Sequence, residues 1–269
     1  MSGVGAMTEI EIEQAAERLQ RDGYVVFPGV VPPELLAELE RGVLDEFEGA
    51  KRHGLFEGGG MISGHLNCYP GEGARPVYEA VRDHGIVDVI AAVKPGTTDR
   101  LRLTGNLNLP KSYAQHYHSD GLFTEAFLIC NVAVVDTDLT NGAIDVLPGT
   151  HQRFYKFWQY ALGRKYRLTT RIPMRRGDVL IRYSTMWHRG MPNKSPNPRL
   201  LMSLTFGEVS APATDPFTVD GGRPQFTPNW YGIGKVAQAR ERVFVRAPWL
   251  YSTYRFTRSL VGNKGYSHW

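Results

Sequence analysis

The stretch Gln115-His116-Tyr117-His118-Ser119-Asp120 places an imidazole and a carboxylate two residues apart. In an extended strand residues i and i+2 project to one face, so His118 and Asp120 are predicted to aim a nitrogen and an oxygen donor at one point. Two such donors need a third, and His188 far downstream is the candidate. Two histidines and one carboxylate with open positions form the donor set of non-haem Fe(II) oxygenases, because the ion must keep vacant sites for a co-substrate and O2. His-x-Asp alone is a weak signal in a chain with eight histidines. His116 lies on the same predicted face and is the competing ligand; the pairing with Asp120 favours His118.

These residues need rigid elements to hold them. From Arg100 onward the apolar period is two: Leu101, Leu103, Leu107 and Leu109 alternate with Arg102, Thr104, Asn106 and Asn108. That pattern predicts a strand whose polar face lines either a ligand cavity or solvent. The stretch around His118 reads as a further strand. Residues 126–135 read as a buried strand, Asn141-Gly142 as a tight turn, residues 144–147 as a short strand and Pro148-Gly149 as another turn. Gly177-Asp178 turns the chain into Val179–Tyr183, which leads to His188. The last clear strand is Arg199–Phe206, with Arg199, Leu201, Ser203 and Thr205 on one face. Short strands divided by turn signals predict a sandwich or jelly roll. Ahead of them, residues 8–22 read as an amphipathic helix, opened by the capping box Thr8-x-x-Glu11 and ended by Gly23. A short strand and turn over residues 24–29 precede a second helix from about Pro32. Residues 54–73, glycine-rich, read as a mobile loop and candidate flap. Residues 77–93 read as a third helical stretch, stopped by Pro95-Gly96.

The chain has 269 residues, 42% hydrophobic and 22% charged, with a net charge of +4. That length and composition suit one soluble globular domain. No apolar run approaches a membrane span, and the opening residues lack a secretory pattern, so a cytoplasmic location is expected. The two cysteines, Cys68 and Cys130, do not make a disulfide framework.

Ordered motifs now give a resemblance. Tyr117, His118 and Asp120 form an aromatic followed by H-x-D; residues 141–151 read N-G-A-I-D-V-L-P-G-T-H; Gly177-Asp178 follows, and Arg199 stands 199 − 188 = 11 residues after His188. Together with Asp22-Gly23-Tyr24-Val25-Val26, these resemble the phytanoyl-CoA hydroxylase-like (PhyH) family of Fe(II)/2-oxoglutarate dioxygenases, over about residues 8–207. The resemblance implies a mainly β fold, a double-stranded β-helix (jelly roll, cupin-like) with N-terminal helices packed on the barrel. It divides a single domain into a helical part (8–95), a jelly-roll core (100–207) and an aromatic, basic extension (208–269). It implies Fe(II) held by His118, Asp120 and His188, with 2-oxoglutarate and O2 as co-substrates. Arg199 matches the family's 2-oxoglutarate arginine, and a guanidinium can grip a carboxylate with two charge-assisted hydrogen bonds. Gln115, Asn106, Asn108 and Ser203 are further candidates to bond the co-substrate. The implied reaction hydroxylates an unactivated C–H of a small-molecule metabolite with release of succinate and CO2. Family members that halogenate lack a carboxylate at the position of Asp120, so its presence argues against halogenation.

Other residues receive plainer readings. His151 is expected to be a structural hydrogen-bonder, Asp178 a turn residue, and His53, His65, His84 and His268 surface residues. The basic and aromatic excursion over 154–176 reads as a lid for an anionic or partly apolar substrate or as a solvated helix packed on the barrel. The C-terminal aromatics, Trp249, Tyr251, Tyr254 and Phe256 with Trp230, Tyr231 and Trp269, are expected to pack on the barrel, cap the pocket or form a homodimer contact. Nucleic acid is not an expected partner. Two other functions remain open at this point: a cupin-like metal enzyme that uses no 2-oxoglutarate, and a noncatalytic jelly-roll binding protein.

Overall fold

A computed structural model describes residues 5–52, 56, 59–209, 211, 214–227 and 234–261. His53, His268, Trp230, Tyr231, Trp269 and part of the 54–73 stretch lie outside these residues. Helix α1 (Glu9–Asp22) begins where the sequence signals it: Glu11 N–H donates to the Thr8 hydroxyl at 3.4 Å, and Thr8 N–H donates back to the Glu11 carboxylate at 2.8 Å. Gly23, at φ 86°, ends it in the left-handed region. Strand β1 (Tyr24–Phe27) and helix α2 (Pro33–Arg52) follow, the latter burying Leu36, Leu39, Val43 and Phe47. The glycine-rich stretch departs from the expected loop, since it contains a short helix α3 (Gly59–Ser63) and strand β2 (His65–Tyr69). The strand is held by pairing with a longer neighbour, a signal that glycine content hides. The expected helix over 77–93 is two helices, α4 (Arg75–Asp83) and α5 (Ile86–Val93), because Gly85 takes φ 96° between them.

The remaining elements are β3 (Leu101–Asn108), β4 (Leu128–Ala133), β5 (Ile144–Val146), α6 (Phe157–Leu162), β6 (Thr170–Ile172), β7 (Val179–Tyr183), β8 (His188–Arg189), β9 (Arg199–Phe206), β10 (Gln225–Thr227), α7 (Lys235–Arg246) and α8 (Pro248–Val261). Among the described residues they make an antiparallel seven-stranded sheet in the order β1-β7-β4-β9-β3-β2-β10 and a three-stranded sheet β6-β5-β8. One face of the large sheet, with Leu103, Leu107, Cys130, Met202 and Leu204, packs against the apolar stripes of α1, α2, α4 and α5. Its other face meets the small sheet through Ala133, Leu180, Leu201, Ile144, Val146 and Ile172. This is a jelly-roll core with N-terminal helices on its outer side. β6 and β10, three residues each, are too short to carry a periodic signal in the sequence. No helix among the described residues is long and apolar enough to cross a membrane.

Two histidines expected at the surface are buried. His65 is 1% exposed, with Nε2 2.8 Å from the Tyr113 carbonyl, and His84 packs edge-on to Phe27. Both lie where an apolar element hides them, which a search for ligand motifs does not register.

Removing the α1 cap is the simplest check on this frame. Thr8→Ala leaves the Glu11 N–H without its side-chain partner and should cost about 1 kcal/mol. In a chain of this size that lowers Tm by about 2–4 °C in a calorimetric scan. An unchanged Tm would mean that α1 does not limit stability.

Candidate active site

His118 and His188 are neighbours across the small opening between the sheets. Their backbones exchange hydrogen bonds in both directions, at 3.0 and 2.9 Å, as an isolated antiparallel bridge. The two rings therefore project to the same side, with centroids 4.4 Å apart. The strand expected around His118 is reduced to this bridge, and Asp120 lies in a bend whose N–H donates to the Ser184 carbonyl at 2.8 Å. The short-range consequence nonetheless holds. His118 Nε2 stands 3.5 Å from Asp120 Oδ1 and His188 Nε2 3.4 Å from Asp120 Oδ2, and the three donor atoms lie within 4.8 Å of one another.

The outer nitrogens orient the rings. His118 Nδ1 is 2.8 Å from the His116 carbonyl and His188 Nδ1 is 3.0 Å from the Met186 carbonyl. A carbonyl can only accept, so the proton sits on each Nδ1 and the Nε2 lone pairs face Asp120, the tautomer a metal needs. Burial, reinforced by the Arg182 guanidinium, holds the His188 imidazole well below its ordinary pKa and keeps it neutral. Burial would raise the Asp120 carboxyl, but the Arg182 guanidinium beside it helps to outweigh that and the group stays well below the usual carboxylate range. A neutral His188 imidazole and an ionised Asp120 carboxylate suit the binding of a divalent cation.

A cavity of about 890 Å³ opens from these donors. Arg199, the first residue of β9, lines it and is 2% exposed. Its Nη2 reaches the Gly142 carbonyl at 3.4 Å, whereas Nε and Nη1 are buried without a partner among the described residues. Burial pushes its pKa down to about 10, so it remains a cation at neutral pH. The Asn141-Gly142 turn can pass this close because Gly142 takes φ 93°; a Cβ there would stand 2.5 Å from Asn108 Nδ2.

Of the other candidates, Asn106, Gln115 and Ser203 line the cavity. Gln115 Oε1 accepts from Gly190 N–H at 2.8 Å, and Ser203 Oγ accepts from Asn131 Nδ2 at 2.7 Å. Asn108 does not line it; fully buried, it donates to the Met191 carbonyl at 2.9 Å. His116 is separate from the donor cluster, its ring lying 3.9 Å from that of Tyr251. His151 Nε2 donates to the Gln20 carbonyl, 2.9 Å away, and the ring stacks on Tyr183. Asp178 accepts from Gly29 and Arg175 N–H groups, as a turn residue does.

Two features escape the sequence reading, and a third stood in it only as one of three alternatives. Arg182 bonds Asp120, and its signal was a charged residue inside Val179–Tyr183. Asn131 bonds both Arg182 and Ser203, and its signal was one amide in an apolar run. The third is the pair α7–α8, which closes one side of the cavity with Phe244, Tyr251, Tyr254 and Arg255. Arg255 is buried against the Phe157 ring and donates to the Tyr117 carbonyl at 2.6 Å, tying α8 to the residue before His118.

The same architecture occurs in solved structures. SnoN, a non-heme alpha ketoglutarate dependent epimerase from nogalamycin biosynthesis whose structure with Fe3+, alpha ketoglutarate and nogalamycin RO is known, superposes with a TM-score of 0.55 at 22% identity, over 82% of this chain and 99% of that one. SnoK, a non-heme alpha ketoglutarate dependent carbocyclase from the same biosynthesis, gives 0.57 at 16% identity, over 82% and 96%. AviO1 from Streptomyces viridochromogenes Tue57 gives 0.57 at 17% identity, over 78% and 100%. The sequence profile of phytanoyl-CoA dioxygenase (PhyH) matches residues 19–201, a span that holds both histidines, the carboxylate and Arg199. With two thirds of its length inside that profile and the donors converging where the motifs place them, the chain belongs to the phytanoyl-CoA dioxygenase (PhyH) family.

Proposed function

We propose that the chain is an Fe(II)- and 2-oxoglutarate-dependent oxygenase that hydroxylates an unactivated C–H bond of a small molecule. One observation carries this: a two-histidine, one-carboxylate cluster shares a cavity with a buried cation, Arg199, that has two N–H donors without a partner among the described residues. The donor set fits Fe(II), being of intermediate hardness with one negative charge and leaving half of an octahedron open. The unpaired edge of Arg199 fits the far carboxylate of 2-oxoglutarate, because a buried guanidinium without an anion is costly and a carboxylate satisfies it through two bonds. Iron, when bound with the keto acid, supplies the O2-dependent oxidation.

The chain's own groups divide the remaining work. His118, Asp120 and His188 hold the ion, and Arg199 orients the keto acid from the wall of the same cavity. Asn106, Gln115 and Ser203 also line that cavity, where they can bond the co-substrate's oxygens. The rings of Phe244, Tyr251 and Tyr254 cover the outer part. They exclude water and offer faces to a partly apolar substrate.

A screen of candidate metabolites with Fe(II), 2-oxoglutarate and O2 tests the proposal. The expected result is succinate formed in step with O2 uptake, and a product heavier than its substrate by one oxygen atom. A product isomeric with its substrate, or lighter by two hydrogens, would retain the cofactors and overturn hydroxylation. Turnover that continues without 2-oxoglutarate would mark a different class of metal enzyme. An absence of any absorption change when Fe(II) and 2-oxoglutarate are added anaerobically would mark a binding protein.

The aromatic wall gives a separate prediction. Phe244→Ala removes one stacking face and should raise the substrate KM by about 3- to 10-fold, the equivalent of a ring contact of about 1 kcal/mol. The KM for 2-oxoglutarate should not change. Equal effects on both would place the helix pair in folding rather than in recognition.

A further inference from the structure

The helix pair α7–α8 carries a surface that the chemistry of the cavity does not use. Residues 235–261 hold six cations and one acid, an excess of five that is larger than the +4 of the whole chain. The acid, Glu241, is turned away from water: its side chain is 16% exposed, pairs with Arg240 at 3.6 Å and lines the cavity. Seven residues of α7 are exposed, and they are four cations (Lys235, Arg240, Arg242, Arg246) and three apolar residues (Val236, Ala239, Val243). An ordinary solvated helix face mixes both signs of charge, and this one has no acid and no neutral polar group.

The order of these residues around the helix is also specific. At about 3.6 residues per turn, Val236, Ala239 and Val243 form one stripe, Lys235, Arg242 and Arg246 run beside it on one flank, and Arg240 stands on the other. Val236 is 85% exposed and Val243 49%, and Trp249, the second residue of α8, is 66% exposed. Among the described residues Lys235, Arg242 and Arg246 have no acidic partner.

An apolar stripe between cations fits a partner that is apolar and anionic at once. A phospholipid surface is both, since the acyl chains begin just below a layer of phosphates. Lysine and arginine lay their carbon stems on the apolar side and reach the phosphates with their heads, and tryptophan favours that boundary. We propose that the outer face of α7, together with Trp249, docks on an anionic phospholipid surface. A second copy joined through the same face would bring Arg242 and Arg246 against their own counterparts, and like charges oppose that pairing. Attachment is peripheral, because no helix among the described residues is long and apolar enough to cross a membrane. The inner side of the same helix pair closes the cavity with Phe244, Tyr251 and Tyr254, so docking sets the aromatic wall beside the lipid. The inference stands apart from the iron reading.

Sedimentation of the full chain with vesicles tests it, using phosphatidylcholine alone and phosphatidylcholine mixed with phosphatidylglycerol. Affinity for the mixed vesicles should be about 30- to 100-fold higher, as three cations at a negative surface give, and should fall as salt is raised. Trp249 emission should shift to the blue on mixed vesicles and be quenched by brominated acyl chains. Trp249→Ala should lose that signal and weaken binding by about 3- to 10-fold, the effect of one ring withdrawn from the boundary. The double variant Arg242→Gln, Arg246→Gln should weaken binding by about 10-fold or more, with its circular dichroism unchanged. Equal affinity for neutral and mixed vesicles overturns the proposal, as does wild-type affinity in either variant. If one variant does not fold, the other decides by the same criterion. Absence of vesicle binding also overturns it, and a dimer in sedimentation velocity that Trp249→Ala dissolves would then assign the face to a second copy of the chain.

Discussion

In the His188→Ala chain, Fe(II)-dependent succinate formation should fall by about a thousandfold or more, since several kcal/mol of metal-derived stabilisation is lost at about 1.4 kcal/mol per factor of ten. The reason is local. His188 supplies one of three donor atoms, and its ring is held by the Met186 carbonyl so that Nε2 is the free nitrogen. The fold should survive, because the bridge joining residues 118 and 188 is made by backbone groups that alanine also has. The loss in stability should stay within about 2 kcal/mol, the ordinary range for a point change. Metal analysis after anaerobic loading, with circular dichroism as the control, separates the two effects. His116→Ala is the complementary variant. Its ring rests on Tyr251 outside the cluster, so Fe(II) uptake should persist. A His116→Ala chain that loses the ion while His118→Ala keeps it would exchange those two ligand assignments.

How much of this was legible in the sequence depends on the range of the interaction involved. The α1 cap, the Gly23 stop and the alternation along β3 and β9 are properties of a few consecutive residues, and they were read where they occur. His118 and Asp120 were paired on the premise of a strand. The structure has only a bridge and a bend there, and the side chains converge because the bridge to His188 and the bond to Ser184 hold the backbone from outside. What stayed hidden was long-range. Arg182 and Asn131 look anomalous in apolar strands, but nothing local says that one faces the other across β4 and β7. The tail beyond β10 offered only its composition. Its capping of the cavity depends on Arg255 reaching Tyr117, a contact spanning 138 residues that no periodicity encodes. His65 was misjudged for the related reason that β2, which buries it, lies in glycine-rich surroundings.

Arg199 yields the second large effect, and one of opposite sign in two measurements. Its guanidinium is charged and buried, with a 3.4 Å contact to Gly142 and two donors unpaired. In the ligand-free chain that arrangement is a cost, because a buried donor without a partner forfeits its hydration, and apolar replacements of poorly paired buried charges are often neutral or stabilising. Arg199→Met should therefore leave the Tm of the ligand-free protein unchanged or raise it. The same change removes two bonds to a carboxylate, each worth about 1.5–3 kcal/mol, so the KM for 2-oxoglutarate should rise by at least about a hundredfold. The two results together are diagnostic. A guanidinium serving the fold would lower Tm when lost, whereas one held ready for an anion lowers only the anion's affinity. Thermal shift gives a third reading: 2-oxoglutarate at 100 times its dissociation constant, with Fe(II) and no oxygen, stabilises the wild type by about 2.7 kcal/mol and should do nothing for the variant. Because burial sets the guanidinium near 10, the wild-type affinity should hold from neutral pH to about pH 9 and decline above it as the cation is lost, the keto acid carrying the same charge throughout. An Arg199→Met chain with an unaltered KM for 2-oxoglutarate would leave the buried cation without its anion, and the keto acid would have to be bound elsewhere in the cavity.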